Sequence, residues 1–531
     1  MRTKFNSSGQ VALTLAAAMA LAGITTSGLT AHGSTATWTG GGGSGNNNWS
    51  DTANWSGGSG TGGIPGTDDT VDFGTSSSLS SSNDISSLSI GELIFGYPAD
   101  GPDAFTLSGN ALTITTDGYN AGYGVYSGAY NITETINNDI NFNGNSNIRE
   151  TSSGTLVLGG TITGTGNLGL NGGSGAITLD DSSKGNDTFI TGDLTGINGV
   201  VNVEAGNYTF GLGAYQLSGT VNLTGGTLTL GSTSSATTQN GTNTFNVNGG
   251  TLAYNGFYRG AGVTTVNTGG TLSVADSSGF GTRISTDSYN GTLTLAGGTA
   301  TFTGNAITVN DAGSTNTGTI NLDSGTLNTP GLVFNGSTSS SSPGTAVVNS
   351  NGGTLEFSEA YTITASTNAT WNVLAGGAVI NTDGNTVTID QALVSGVSAD
   401  GGLTKDGLGT LKLASTANTY NGNTTVNLGT LEINSNFLAS TSTVSIAANA
   451  VMDLNYSSSI RDIVKALFLN GVSQGPGTYG AGAGDLGSGY FSGTGTLTVE
   501  SSDIPEPATL AMMAVAGIGL LTIKRRKKIE V

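Results

Sequence analysis

The chain has 531 residues, of which 89 are Gly, 8 Pro, one His and none Cys, with a formal net charge of −20 at pH 7. Charged residues make up only 9% of it, against about 25% in ordinary globular domains. These values exclude a disulfide framework, Cys-based metal sites and nucleophiles, catalysis by several His, collagen, and nucleic-acid binding through a basic surface. Hydrophobic residues reach 35% and fall in short alternating runs. That pattern favours many short strands joined by turns over disorder.

In chain order, residues 1–32 read as a secretory signal for the Sec translocon. Arg2 and Lys4 are basic, Val11 to Ile24 is apolar, and small residues follow, with cleavage expected between Gly28 and Gly33. Residues 33–75 hold three of the four Trp, at 38, 49 and 55, together with Asn54, Pro65, Asp68, Asp69, Asp72 and Phe73. The expectation is an N-terminal cap, its indole rings covering the open end of a coil. The functional alternative is glycan stacking on Trp38, Trp49 and Trp55.

Residues 76–400 read as degenerate solenoid repeats. The tripeptide Gly-Thr-Leu starts at 154, 226, 250, 270, 291, 325, 353, 409, 429 and 495. Several spacings fall between 20 and 28 residues, a range typical of solenoids. Local runs such as Thr227-Leu228-Thr229-Leu230 and Thr386-Val387-Thr388-Ile389 alternate with period two, so each is a half-buried strand. Coiling such rungs gives a parallel β-helix with capped ends. A series of antiparallel β-sandwiches is the alternative. The fold class is therefore all-β.

The clearest repeat spans 401–433. It runs Gly402-Leu403-Thr404-Lys405-Asp406-Gly407-Leu408-Gly409-Thr410-Leu411-Lys412-Leu413, then Asn418-Thr419-Tyr420-Asn421-Gly422 through Gly429-Thr430-Leu431-Glu432-Ile433. This resembles the passenger-associated transport repeat, also called the autotransporter-associated β-strand repeat. The resemblance implies a passenger β-helix displayed outside the cell, and the Trp-rich segment 33–75 resembles the N-terminal module of such proteins. A sorting tail stands where that family carries a membrane β-barrel, so self-transport is not expected. Residues 434–502 resemble the family's closing module. Ile460, Ile463, Val464 and Leu467 have helical spacing after the N-cap candidates Ser457 to Ser459, so a short amphipathic helix is predicted over 460–467. Phe468 to Val472 reads as a hairpin turn and Gly493 to Val499 as the last strand.

Residues 503–531 contain Pro505-Glu506-Pro507, an apolar run from Ala508 to Ile523, and the basic stretch Lys524-Arg525-Arg526-Lys527-Lys528. The Pro-rich break cannot continue a helix. The apolar run predicts one marginally spanning transmembrane-like helix, held by cations on the cytoplasmic side. The three parts in this order resemble the PEP-CTERM sorting signal. That resemblance implies an exosortase-type transpeptidase as partner, processing near Pro505–Pro507, and an organism exporting extracellular polysaccharide. Seven of the fifteen basic residues lie in the two terminal segments, so the body between them is more acidic than the whole chain.

No catalytic residue is assigned. The sole His, His32, lies at the expected cleavage site. Asp68/Asp69/Asp72 and Asp180/Asp181 are the densest acidic spots; the first group belongs to the N-terminal cap segment, and a solvated turn accounts for the second. No metal site or cofactor is expected. Gly480 to Gly487, with Asp485, is a faint echo of a calcium-binding repeat. The expected function is a non-enzymatic exported protein of the cell surface or extracellular matrix, with transient or permanent inner-membrane anchoring. An adhesin or carbohydrate-binding protein, using the Trp residues or a flat Thr/Asn strand face, is the rival. A β-helix carbohydrate-active enzyme is the third reading.

Overall fold

The computed structural model describes residues 33–500 apart from 44, 75–78, 97–103, 116–122, 129–131, 152, 165–167, 181–186, 212–218, 232–242, 257, 259, 277–280, 287–288, 311–314, 335–343, 483 and 488. Successive coils carry three faces. In one coil these are the strands Thr345–Ser350, Thr354–Phe357 and Tyr361–Ile363. The next coil repeats them as Ala369–Val373, Ala378–Asn381 and Thr386–Ile389. The pairing is parallel on every face: Val348 opposes Trp371, Leu355 opposes Ile380 and Ile363 opposes Ile389.

The second face continues unbroken from Leu88–Ile90 to Ala466–Leu469. Stacking of this kind sends each strand's N–H and C=O groups along the coil axis into its neighbours, which satisfies them without any sheet edge on the flanks. Inward side chains form a single buried cluster running from Ala36 to Val499. The chain is thus a parallel β-solenoid, and the sandwich alternative is overturned. Among the described residues, antiparallel strand pairs lie at the two ends.

The Gly-Thr-Leu tripeptide is the unit of this coil. Thr227, Thr251 and Thr271 are register partners facing outward, and Leu228, Leu252 and Leu272 are register partners in the core. The Gly makes the corner. At Gly429 the backbone has φ 66°, which favours Gly. A Cβ there would also meet the carbonyl oxygen of Gly409 in the preceding coil.

Both ends are closed by reversing the chain. Thr35–Trp38 pairs in parallel with Thr70–Phe73 on one side and antiparallel with Trp55–Ser56 on the other. At the far end Val472–Ser473 folds back on Ala466–Leu469, and Gly477–Tyr479 runs antiparallel to Thr496–Val499. These reversed strands occupy groups that would otherwise template a further coil. The predicted turn at Phe468 to Val472 is present: Asn470 and Gly471 have φ 49° and 75°, the positive values a two-residue hairpin turn needs.

The predicted helix over 460–467 is not formed. Arg461–Val464 and Ala466–Leu469 are strands, paired in parallel with Thr496–Val499 and Thr443–Ile446. Four apolar positions at helical spacing are outweighed by β-branched Ile463 and Val464 and by strand partners on the adjacent coils. Asp462 and Val464, two apart, are the buried pair of the first strand. Ser457 Oγ accepts from the N–H of Ser459, in a turn and not a helix cap. The one helical element among the described residues is a 3-10 turn at Thr52–Asn54. No described helix is long and apolar enough to cross a membrane. The transmembrane-like run 508–523 and the signal segment 1–32 lie outside the described residues.

Candidate functional site

At the N-terminal end, strand reversal brings the Trp side chains together inside the coil. The Trp38 and Trp55 rings meet edge-on with centroids 4.9 Å apart, and Trp49 meets Trp55 at 5.1 Å. Phe73 packs against Phe105 at 4.5 Å and against Phe95 at 5.2 Å. Exposure is 1% for Trp38, 0% for Trp49 and 6% for Trp55. The Trp49 indole N–H donates to Ser81 Oγ at 3.0 Å. Sugar stacking needs an open ring face, and these rings offer none: Trp38 and Trp55 point inward from their strands, and Trp49 enters from a turn where its backbone N–H donates to the Ser82 carbonyl.

The acidic residues around them hold loops. Asp69 Oδ2 accepts from the N–H groups of Ser59 and Gly66 at 2.7 and 2.8 Å. Asp68 Oδ1 accepts from the Thr115 hydroxyl at 2.7 Å. Asp72 lies on the strand Thr70–Phe73, and Asp180 ends the strand Leu168–Asp180; Asp181 is outside the described residues. Near the other end, Asp485 Oδ2 accepts from the Gly482 N–H at 3.0 Å and closes a local turn. Among the described residues, no group of three or more His, Asp or Glu is placed to hold a metal ion.

The segment 403–433 is more than one coil. Its strands are Leu403–Asp406, Thr410–Leu413, Thr424–Val426 and Thr430–Ile433. Leu403 opposes Thr424, and Leu411 opposes Leu431. Lys405 shares the inward parity of Leu403 and is 0% exposed. Its Nζ donates to three backbone carbonyls: Asp406 at 3.0 Å, Gly407 at 2.7 Å and Leu428 at 3.1 Å. Three acceptors match the three N–H bonds of an ammonium. Lys405 therefore ties one corner to the same corner of the next coil. Burial pulls its pKa down to about 8, and the Asp406 carboxylate works against that shift. On the outer face Lys412 and Glu432 oppose each other and pair at 2.7 Å. Asp400 Oδ1 accepts from the N–H groups of Gly402 and Gly422 at 2.9 and 2.7 Å, and its Oδ2 from Asn421 at 2.8 Å.

Lys405, Lys412 and Asp400 are thus each fixed to a neighbouring coil. Residues 403–433 match the passenger-associated-transport-repeat family model. Residues 503–528 match the PEP-CTERM protein-sorting motif. The chain carries both features. Together they support an exported, surface-associated protein with a sorting signal. No curated protein and no solved structure matched the chain. The sorting residues Pro505, Glu506, Pro507, Lys524, Arg525 and Arg526 lie outside the described residues.

Sequence reading missed a set of buried ionisable groups. Glu134 is 3% exposed, and its Oε2 accepts from the Phe105 N–H at 3.1 Å. Burial, reinforced by the nearby Glu150 carboxylate, pushes its pKa up to about 8. Burial likewise raises Asp462 to about 6, against hydrogen bonds from the Tyr456 hydroxyl at 2.9 Å and the Leu438 N–H at 3.0 Å. The missed signal is parity. Glu134 alternates with Ile136, Glu150 with Ile148 and Asp462 with Val464, so each sits on the inward side of its strand.

Proposed function

We propose that this chain is a non-enzymatic structural scaffold, exported through the Sec translocon by its N-terminal segment and held in the cell envelope or extracellular matrix. An exosortase-type transpeptidase recognises the tail and cleaves near Pro505–Pro507. The observation that carries the reading is the unbroken second face from Leu88 to Leu469, closed by reversed strands at both ends. Such a body is a self-contained rod, and its length follows from the number of coils at about 4.8 Å each. Acidic residues serve as braces here: Asp69 and Asp400 hold loops and corners, and Glu432 pairs across strands with Lys412. A strongly acidic surface keeps such rods apart and soluble.

Mass spectrometry of the surface-exposed form tests the processing step. Peptides are expected up to about Pro507 and none from Lys524 to Lys528. Recovery of the intact basic stretch on the surface form would show a plain anchor instead. Release of products from polysaccharide by the purified chain would overturn the non-enzymatic role.

A further inference from the structure

Six consecutive coils place a Thr at one outward position of the second face. Thr227, Thr251, Thr271, Thr299, Thr326 and Thr354 are register partners in turn. Two residues further along each of the first five strands stand Thr229, Ala253, Ser273, Thr301 and Asn328. Coils repeat at about 4.8 Å, and outward neighbours on one strand lie about 6.7 Å apart. The result is a two-dimensional lattice of small uncharged side chains, polar at every position but Ala253, with its Thr column roughly 24 Å long across six coils.

Three features define what this lattice fits. It carries no charge from Thr227 to Asn328, although the whole chain stands at −20. Its six Thr hydroxyls have no partner among the described residues. The adjoining first face differs, because its amides bond to one another: Asn222 donates to Asn202 at 3.0 Å, Asn246 to Asn222 at 2.9 Å and Asn372 to Asn349 at 2.8 Å. Finally, Tyr254, Phe302 and Phe357, the aromatic residues on the strands of this face, are buried.

We infer that this second-face lattice binds ice. A small molecule calls for a concave site, an ion for opposite charge, and a sugar chain for aromatic platforms; the lattice supplies none of these. A surface periodic in two directions complements a ligand periodic in two directions. Each outward Thr hydroxyl can both donate and accept, as a water molecule at a crystal plane requires. Its γ-methyl keeps liquid water from competing for the same place. Charged groups, whose hydration shells are incompatible with a crystal plane, are missing from the first five coils of the patch. The Glu356 carboxylate marks its border and is engaged by the amides of Asn328 and Asn381. This inference is independent of how the tail is processed.

The test is thermal hysteresis and ice-crystal shaping by the full chain. Wild type is expected to hold a gap between melting and freezing and to facet crystals. The double variant T271Y/T299Y should lose both effects, whereas T319Y, on the first face, should keep them. The milder T271V/T299V keeps side-chain shape and should narrow the gap if the bulkier pair fails to fold by circular dichroism. Absence of hysteresis and faceting in wild type overturns the inference. So does equal loss in T319Y, or retention on a neutral polysaccharide resin with no effect on ice.

Discussion

The coils from Thr227 to Phe357 and the repeat 403–433 use the same tripeptide differently. In the first region Gly-Thr-Leu builds a uniform wall, with Thr out, aliphatic in and coils joined by backbone ladders. In the second, the same parity holds at Thr410-Leu411 and Thr430-Leu431, but inward position 405 is Lys and outward positions 412 and 432 are an ion pair. On its second face the first region therefore depends on apolar burial and main-chain bonds, and its side-chain ties are the neutral amide bonds of the first face. The second adds charged ties between specific coils, through Lys405 and the Lys412–Glu432 pair. Solenoid stability is a sum of unit and nearest-neighbour terms, so local ties should show as local differences in opening.

The largest expected effect tests that distinction. K405M keeps the length and apolar character that the position's parity suggests, but leaves the carbonyls of Asp406, Gly407 and Leu428 without their donor. A loss of about 3 kcal/mol is expected, as for a buried bond to a charged group. Amide exchange at Leu411 and Leu431 should accelerate while exchange at Leu252 and Leu272 stays unchanged. An unchanged repeat would mean that Gly-Thr-Leu packing suffices there too.

A smaller effect separates the N-terminal coils from the repeat by pH. Glu134 has a folded pKa raised to about 8, so its favourable contribution is complete below the ordinary carboxylate range and is lost as pH rises through 8. Asp462, raised to about 6, behaves the same way at lower pH. Lys405 is opposite: its lowered value, about 8, gives a contribution complete above the ordinary lysine range and lost as pH falls to 8. Between pH 5 and 8 the coils around Glu134 should weaken by about 2 kcal/mol once screening is allowed for. Region-resolved proteolysis in guanidinium should show that loss, and E134Q should flatten it. A wild-type profile that rises with pH over this range would refute the assignment.

Much of this was legible in the residues. The tripeptide spacing and period-two runs point to stacked parallel strands, and Asn470-Gly471 marks its own hairpin. The helix expected over 460–467 failed because one segment's spacing cannot show that Thr443–Ile446 and Thr496–Val499 await it on neighbouring coils. The roles of Lys405 and Glu134 were equally hidden. Each is a charged residue at an aliphatic parity, a sign visible only once the inward phase of the strand is fixed by its neighbours. The clustering of three Trp points to a cap, with a sugar platform as the alternative; the reversed strand Trp55–Ser56 pairs with Thr35–Trp38, and all three rings are buried.

The smallest effect concerns the outer walls. The Lys412–Glu432 pair has side chains 31% and 15% exposed, so K412A should cost no more than about 1 kcal/mol, and added salt should erase most of it. On the first face of the other region, N222A breaks a ladder in which Asn222 donates to Asn202 and accepts from Asn246. Both partners can turn to water, so a cost of about 0.5 kcal/mol is expected, insensitive to salt. Denaturant midpoints of the two variants at low and high salt would tell the walls apart. Equal salt dependence would mean that the ion pair contributes by packing of its long side chains and not by charge, leaving buried Lys405 as the only cation that sets the repeat apart from its neighbours.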